Sequence, residues 1–169
     1  MEQYTRTAYV LFLAGAFLWC LLIFLPPIDS MASHPPGWAS SLSYRFFSTI
    51  CHEQDARSFH VAGIRLAACS RCTAIYVSFL LGILFWRPLS RAIPADPSLW
   101  WAAALLPMLA DIMLDVLDLH TSGFLSRSLT GGTFGFIAGM ILTPLFLKAS
   151  AELQSPLSHH QGMKYESQT

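Results

Sequence analysis

Charged side chains are scarce in this sequence, and their balance excludes several classes of partner. Only 12% of the 169 residues are charged, against about 25% in a typical soluble domain. Lysine plus arginine and aspartate plus glutamate number ten each, so the formal net charge is zero. The chain therefore lacks the basic excess that favours nucleic acid, and it carries no acidic tail.

Familiar catalytic signatures are also absent from the sequence. It contains no H-E-x-x-H, no G-x-S-x-G and no phosphate-binding P-loop motif. No enzyme class is therefore indicated by motif, and whether the protein is an enzyme stays open. A repeat of fixed period is missing too, which argues against a solenoid.

Long apolar blocks take the place of these features. Hydrophobic residues make up 54% of the chain, and each of four blocks approaches the length that a helix needs to cross ~30 Å of hydrocarbon. The blocks lie at about 8–28, 70–86, 99–118 and 129–147. We therefore predict an all-α polytopic membrane protein with four transmembrane helices. A cleaved signal peptide is the alternative for the first block, but signal h-regions are usually only ~7–15 residues long.

The segments between the blocks complete the predicted architecture. A single four-helix transmembrane domain covers residues 1–148, and a structured first loop lies at about 29–68. Pro26-Pro27 is predicted to end the first helix. The stretch "SLSYRFFSTI", with its apolar face, predicts a short helix in loop 1. Residues 149–169 are polar and predict a disordered tail.

The orientation of the four helices is weakly indicated. Four spans place loops 1 and 3 on one face and both termini on the other. Five basic residues belong to each face, so the positive-inside rule does not decide by itself. If the arginines of loop 1 serve a site, the remaining bias favours both termini inside. The expected location is a bacterial or archaeal cytoplasmic membrane, with the lipid bilayer and other membrane subunits as partners and no nucleic acid.

Three of the four cysteines lie close together, just before the second block. Cys69 and Cys72 form a C-x-x-C pair, and Cys51 is followed directly by His52. Thiolates with this spacing can hold one tetrahedral metal ion, so we predict a zinc site formed by Cys51, His52, Cys69 and Cys72. Neighbouring side chains usually diverge, which makes His60 a substitute for His52. The alternatives are an iron–sulfur cluster, a disulfide or redox pair, or cysteines that only pack and bind no cofactor.

The third block contains carboxylates, which is unusual in a membrane helix. Asp111, Asp115 and Asp118 lie at i, i+4 and i+7, on one helical face. A charge at bilayer depth costs at least ~2.5–3.5 kcal/mol, so these groups need partners. The available partners on that face are Arg57, Arg71 and Arg127. We therefore expect the polar groups of the protein to converge at one membrane boundary.

Two interpretations of this polar cluster remain open. Arginine–aspartate pairs could lock the second and third helices together. Alternatively, the cluster could bind a polar headgroup or move a proton, in which case the catalytic candidates are Asp111, Asp115, Arg57, Arg71 and Arg127. In the fourth block, Gly131, Gly135 and Gly139 form a small-residue stripe that predicts close helix packing.

Several of these residues together resemble a known family. The sequence reads "CH" at Cys51, then "RSF" at Arg57, then "CSRCTAIY" from Cys69, and later "PMLADIML" and "SRSLTGGTFG". This order resembles DUF2085, a family of small bacterial and archaeal membrane proteins, over about residues 51–139. Glu53 and Ala74 stand where the family usually has Gln and Gly. The resemblance implies a membrane location and a shared polar cluster, and it supplies no reaction.

Three functional classes are therefore compatible with the sequence. The first is a metal-bearing accessory subunit or binder in a membrane. The second is a membrane-embedded metal-dependent enzyme that acts on a lipid or another interfacial substrate. The third is a protein that handles thiol–disulfide exchange, protons or ions.

Overall fold

Four long helices form the body of the protein. The computed structural model describes residues 2–32, 37–51, 57–89, 97–117 and 123–166, and their side chains at 5–32, 37–51, 57–89, 98–117 and 123–153. The elements in chain order are α1 (Glu2–Ala32), α2 (Trp38–Phe47), β1 (Ser58–Val61), β2 (Ile64–Cys69), α3 (Ser70–Leu89), α4 (Pro97–Val116) and α5 (Phe124–Glu166).

The predicted fold class is confirmed. Four helical segments are long and apolar enough to cross a membrane, namely Thr5–Ala32, Ser70–Leu89, Ser98–Val116 and Phe124–Leu153. They belong to α1, α3, α4 and α5, and the remaining elements lie in loop 1. The protein is therefore an all-α membrane protein with four transmembrane helices and a structured first loop.

The first helix does not end at Pro26-Pro27, so that prediction was wrong. Helix α1 continues through both prolines to Ala32. A proline cannot donate to the carbonyl four residues earlier, which for Pro26 is the carbonyl of Leu22. Ser43 of α2 donates a hydrogen bond from Oγ to this Leu22 oxygen at 2.6 Å. The freed carbonyl is thus satisfied by a neighbouring element, and the same contact docks α2 onto α1.

The last helix is longer than its apolar block. Helix α5 extends to Glu166, so the structure has helix where the composition predicts a disordered tail. The run from Lys148 to Gln154 contains alanine, glutamate, leucine and glutamine, which all favour helix. These residues prolong a helix that is already nucleated, and this costs less than starting a new one.

The short helix predicted in loop 1 is present as α2. Its Phe47 is fully buried, whereas Leu42 and Phe46 remain exposed. The start of α2 is held by Asp29, whose Oδ2 accepts hydrogen bonds from the Gly37 backbone amide at 2.8 Å and from Ser40 Oγ at 2.6 Å. A carboxylate near a helix N-terminus satisfies free amides and complements the helix dipole. The end of α1 therefore fixes the start of α2.

An antiparallel hairpin, which the sequence analysis did not predict, follows in loop 1. Strands β1 and β2 pair so that Val61 faces Ile64. The two residues between them, Ala62 and Gly63, have φ angles of 52° and 79°. Two successive positive φ angles are typical of a type I′ hairpin turn. Asn-Gly and Asp-Gly are the usual sequence signals for this turn. The sequence here has Ala62 in the first position, so the turn is not recognised from the sequence.

Helices α3 and α5 form the closest helix pair, as the glycine stripe predicts. A β-carbon at Gly135 would overlap the backbone carbonyl of Ile75, and one at Gly139 would lie 3.1 Å from the Cα of Gly82. Because glycine has no side chain, the two backbones can approach closely, and the resulting van der Waals contacts drive helix association in a bilayer. Helix α1 packs against β2, α2 and α3, and α4 packs against α5.

Candidate metal centre and intramembrane ion pairs

Three cysteine sulfurs meet where loop 1 enters the transmembrane bundle. Cys51 follows α2, Cys69 ends β2, and Cys72 lies in the first turn of α3. Their sulfur atoms all lie within 4.8 Å of one another. Cys51 is only 7% exposed, so the group is sheltered from solvent on that side.

Local structure explains why these three residues converge. Strand β2 passes directly into α3, so the two cysteines of the C-x-x-C pair lie three residues apart at the start of a helix, on one side of it. Ser58, at the start of β1, is paired with Cys69. The hairpin therefore returns the chain to the region of Cys51, whose sulfur accepts a hydrogen bond from the Cys69 backbone amide at 3.4 Å.

The three sulfurs are arranged as thiolate ligands of one metal ion would be. In a tetrahedral zinc site with Zn–S bonds of about 2.3 Å, the sulfurs are about 3.8 Å apart. Sulfurs within 4.8 Å would need to move inward by about 1 Å at most. All four cysteines are free thiols, so none of the three ligands is consumed by a disulfide. An amide that donates to a sulfur is also a common outer contact of such sites.

The structure does not bring His60 into the sulfur group. His60 lies on β1 opposite Arg65, and it lines a separate cavity of about 310 Å³ with Tyr44 and Arg65. His52, the other histidine predicted as a ligand, lies outside the described residues. The fourth cysteine, Cys20, donates from Sγ to the Tyr76 carbonyl at 3.4 Å on the α1–α3 interface.

Both described aspartates of α4 are paired with arginines, as their membrane position predicts. Arg71 of α3 forms an ion pair with Asp111, and Ser126 of α5 donates a hydrogen bond to the other oxygen of the same carboxylate. Arg127 of α5 contacts Asp115 at 3.0 Å. These bonds join α3, α4 and α5 at one end of the bundle. The third predicted carboxylate, Asp118, lies outside the described residues.

A second guanidinium reaches Asp115 from loop 1. Arg57 approaches the Oδ2 atom of Asp115 at 3.3 Å, and 46% of its side chain is exposed, against 10% for Arg127. Exposed ion pairs are screened by water and contribute little, so Arg127 is the stronger partner of the two. Arg57 nevertheless links the segment just before β1 to α4.

The glycine stripe also positions the ion pairs. A β-carbon at Gly131 would lie 2.8 Å from the Arg71 carbonyl oxygen and 3.1 Å from Arg71 Cγ. Helix α5 therefore passes directly over Arg71 only because glycine stands there. Sequence reasoning missed Ser126 as a partner of Asp111; its place beside Arg127, a residue already selected, was the only available signal.

Comparison with known proteins identifies the family of the chain. The family model described as "Predicted membrane protein (DUF2085)" matches residues 51–141. The chain belongs to the DUF2085 family. The match begins at the first cysteine of the sulfur group and includes every residue of the ion-pair cluster described above.

A relative of this DUF2085 protein is found in an archaeon. It is the uncharacterized protein MJ1492 of Methanocaldococcus jannaschii, which is 28% identical over 145 residues, covering 83% of this chain and 93% of the relative. The stretch that resembles this relative is therefore longer than the family match at residues 51–141. No solved structure matches the chain.

Proposed function

We propose that this DUF2085 protein is a metal-binding membrane protein, an accessory subunit or binder, whose ion ties loop 1 to the transmembrane bundle. The observation that carries the proposal is the meeting of the Cys51, Cys69 and Cys72 sulfurs within 4.8 Å of one another. Zinc suits this donor set, since three thiolates and one imidazole form a common structural site. We propose His52 as the fourth ligand, because the structure places His60 opposite Arg65 in a separate cavity, away from the sulfurs.

The position of the three cysteines defines what the ion would do. They come from the end of α2, the end of β2 and the start of α3, so one ion would join three successive parts of the chain. Helices in a bilayer gain little from the hydrophobic effect, which makes such a clamp effective. Fixing this loop also holds Arg57 within 3.3 Å of Asp115.

The pairing of the carboxylates favours a structural role over a catalytic one. Asp111 already accepts from Arg71 and Ser126, and Asp115 already accepts from Arg57 and Arg127. A general base needs a lone pair directed at its substrate. The ion pairs therefore support a lock between helices, in preference to the alternative of a metal-dependent enzyme acting on a lipid.

Metal analysis of the purified full-length protein tests the proposal. After purification under reducing conditions without chelator, we expect about one equivalent of zinc per chain. Cys69→Ser and Cys72→Ser should each lose the metal. Cys20→Ser is the matched control and should retain it, because the Cys20 sulfur bonds the Tyr76 carbonyl instead. His52→Ala and His60→Ala identify the fourth ligand. Metal-free wild-type protein would count decisively against the proposal.

A redox pair is the second candidate, and the same sulfur geometry favours it. Three free thiols within 4.8 Å can form a disulfide after a small movement, since S–S bonds are about 2.05 Å long. A C-x-x-C pair at a helix N-terminus is a familiar setting for a reactive thiolate. Thiol counting of metal-free protein before and after mild oxidation tests this candidate. Three reactive thiols that survive oxidation would exclude it.

A further inference from the structure

An apolar groove of about 600 Å³ lies within the membrane-spanning part of the protein, separate from the cysteines. Helices α1, α3 and α5 supply most of its lining, and α4 contributes Trp101. None of the lining side chains is charged. Every lining residue also belongs to one of the four transmembrane segments.

The groove follows from how the helices are paired. Helices α3 and α5 are drawn together by their glycines, whereas α1 packs against α3 and α4 against α5. Over the described residues, α1 and α4 share no extensive contact, so a space is left between them. Trp19 and Tyr76, with ring centroids 5.5 Å apart, close the end nearest α2. Phe12 stacked on Phe146 at 4.5 Å lies towards the other end.

Physical chemistry restricts what can fill this space. Protein interiors contain few voids larger than a water molecule, and an empty cavity forfeits the dispersion contacts of its walls. Buried water needs two to four polar partners, and the walls of this groove are almost entirely apolar. The groove borders the bilayer, since Leu11 is 67% exposed and Leu142 and Phe146 are each 40% exposed. The hydrocarbon chains of the surrounding lipid are therefore the apolar groups available to fill the groove.

We infer that the groove is a binding site for one hydrocarbon chain of a bilayer phospholipid, which bridges α1 and α4 over the α3–α5 pair. Its volume of about 600 Å³ falls within the range of ~300–1,000 Å³ that is usual for small-molecule sites. The aromatic walls give a flexible chain extensive contact area. The inference is independent of the metal centre.

Photolabelling in vesicles tests the inference. The full-length protein is reconstituted in phosphatidylcholine vesicles that contain increasing fractions of a phosphatidylcholine with a diazirine in one acyl chain. After irradiation, labelled peptides are located by mass spectrometry. A binding site predicts labelling that saturates with probe fraction and is concentrated on the groove walls near Phe12 and Ala138. Bulk lipid contact predicts labelling that rises linearly on all exposed helix faces.

Gly15→Phe is the variant that should block the site. Gly15 lines the groove, and a β-carbon there meets nothing within 4 Å, so the ring can enter the groove. We expect groove labelling to fall about tenfold, which corresponds to the loss of roughly two buried methylene groups. Ala103→Phe, on an exposed part of α4, is the matched control and should leave groove labelling unchanged.

Two results would overturn the inference. One is labelling of the wild-type groove that never saturates. The other is equal labelling in Gly15→Phe and Ala103→Phe when both variants are folded, as judged by a single symmetric peak in size-exclusion chromatography. If Gly15→Phe fails to fold, Ala16→Leu adds bulk to the same wall and replaces it.

Discussion

At the scale of single residues, the pairing of the two intramembrane aspartates governs the polar end of the bundle. Asp111 is 7% exposed, and Arg71 supplies its counter-charge from a different helix. Removing one partner of a buried pair leaves an uncompensated charge, whereas removing both leaves two neutral groups. The contribution of the pair therefore has to be measured with both partners changed together.

The Arg71–Asp111 pair should behave non-additively. We expect Arg71→Gln and Asp111→Asn each to lower the free energy of unfolding by about 3–5 kcal/mol, because each leaves a buried charge unpaired. The double variant should lose less than the sum, with a coupling of about 0.5–3 kcal/mol. Denaturant titration in mixed micelles gives the required free energies.

A matched cycle controls this measurement. Arg57 contacts Asp115 and is 46% exposed, so Arg57→Gln combined with Asp111→Asn should be additive within about 0.5 kcal/mol. The coupling free energy of Arg71→Gln with Asp111→Asn is compared with that of the control cycle. If the two are equal and near zero, Arg71 and Asp111 do not form an energetically significant pair.

At the scale of elements, the α3–α5 interface depends on the absence of side chains at a few positions. The carbonyl of Ile75 occupies the space that a β-carbon at Gly135 would need, and Gly131 gives α5 room beside Arg71. A carbonyl belongs to the helix backbone and cannot rotate away as a side chain can. Substitution at these glycines must therefore move a whole helix.

Gly135→Ala should separate the two helices. We expect a loss of about 1–3 kcal/mol in the free energy of unfolding, the usual effect of overpacking a closely packed site. Gly15→Ala is the control, because its new methyl group meets nothing within 4 Å. That variant should be neutral or more stable by about 0.5–1 kcal/mol, since alanine favours helix. Equal stability of the two variants would contradict close packing at Gly135.

Two elements of loop 1 show different degrees of predictability. The apolar face of α2 is visible in the sequence, because helical periodicity needs only neighbouring residues. The hairpin is not visible, since Ala62 adopts a φ of 52° that alanine rarely takes. Contacts elsewhere hold this turn, among them the hydrogen bond from Tyr44 Oη to the Arg65 carbonyl at 2.8 Å. Local propensity was overridden by packing.

At the scale of the whole molecule, the cysteines and the ion pairs lie at one end of a four-helix bundle. The end of α1, the start of α3, the end of α4 and the start of α5 all meet there. Even numbers of crossings bring both termini to the opposite face. Arg57, Arg71 and Arg127 are engaged in ion pairs, and this supports discounting them when the positive-inside rule is applied. We therefore propose that the termini are inside.

Reporter fusions test this topology. Reporters at Glu2 and Gln168 should both signal the cytoplasmic side, whereas a reporter inserted after Gly63 in the exposed hairpin turn should signal the outer side. Termini on opposite faces would contradict four crossings. Termini that are both outside would preserve the four helices and reverse the proposed orientation.

The sequence by itself determined the four membrane helices, and it predicted the cysteine group and the need of the intramembrane aspartates for partners. The length of an apolar block is a local property, and the bilayer thickness converts it directly into a span. The C-x-x-C spacing is equally local. The expectation that Asp111 and Asp115 need arginine partners follows from the cost of a charge in hydrocarbon, which holds whatever the fold.

Only the tertiary structure decided which groups meet. Gly131, Gly135 and Gly139 allow α5 to approach α3 closely, and the packing of α4 beside them pairs Arg71 with Asp111 and Arg127 with Asp115. Cys51 meets the C-x-x-C pair because the β1–β2 hairpin, which was not predicted, brings the chain back towards Cys51. Helix α1 continues past its prolines, and Ser43 of α2 binds the Leu22 carbonyl that Pro26 leaves without a donor. Each of these outcomes depends on a contact between residues distant in sequence, and such contacts are fixed by packing rather than by local composition.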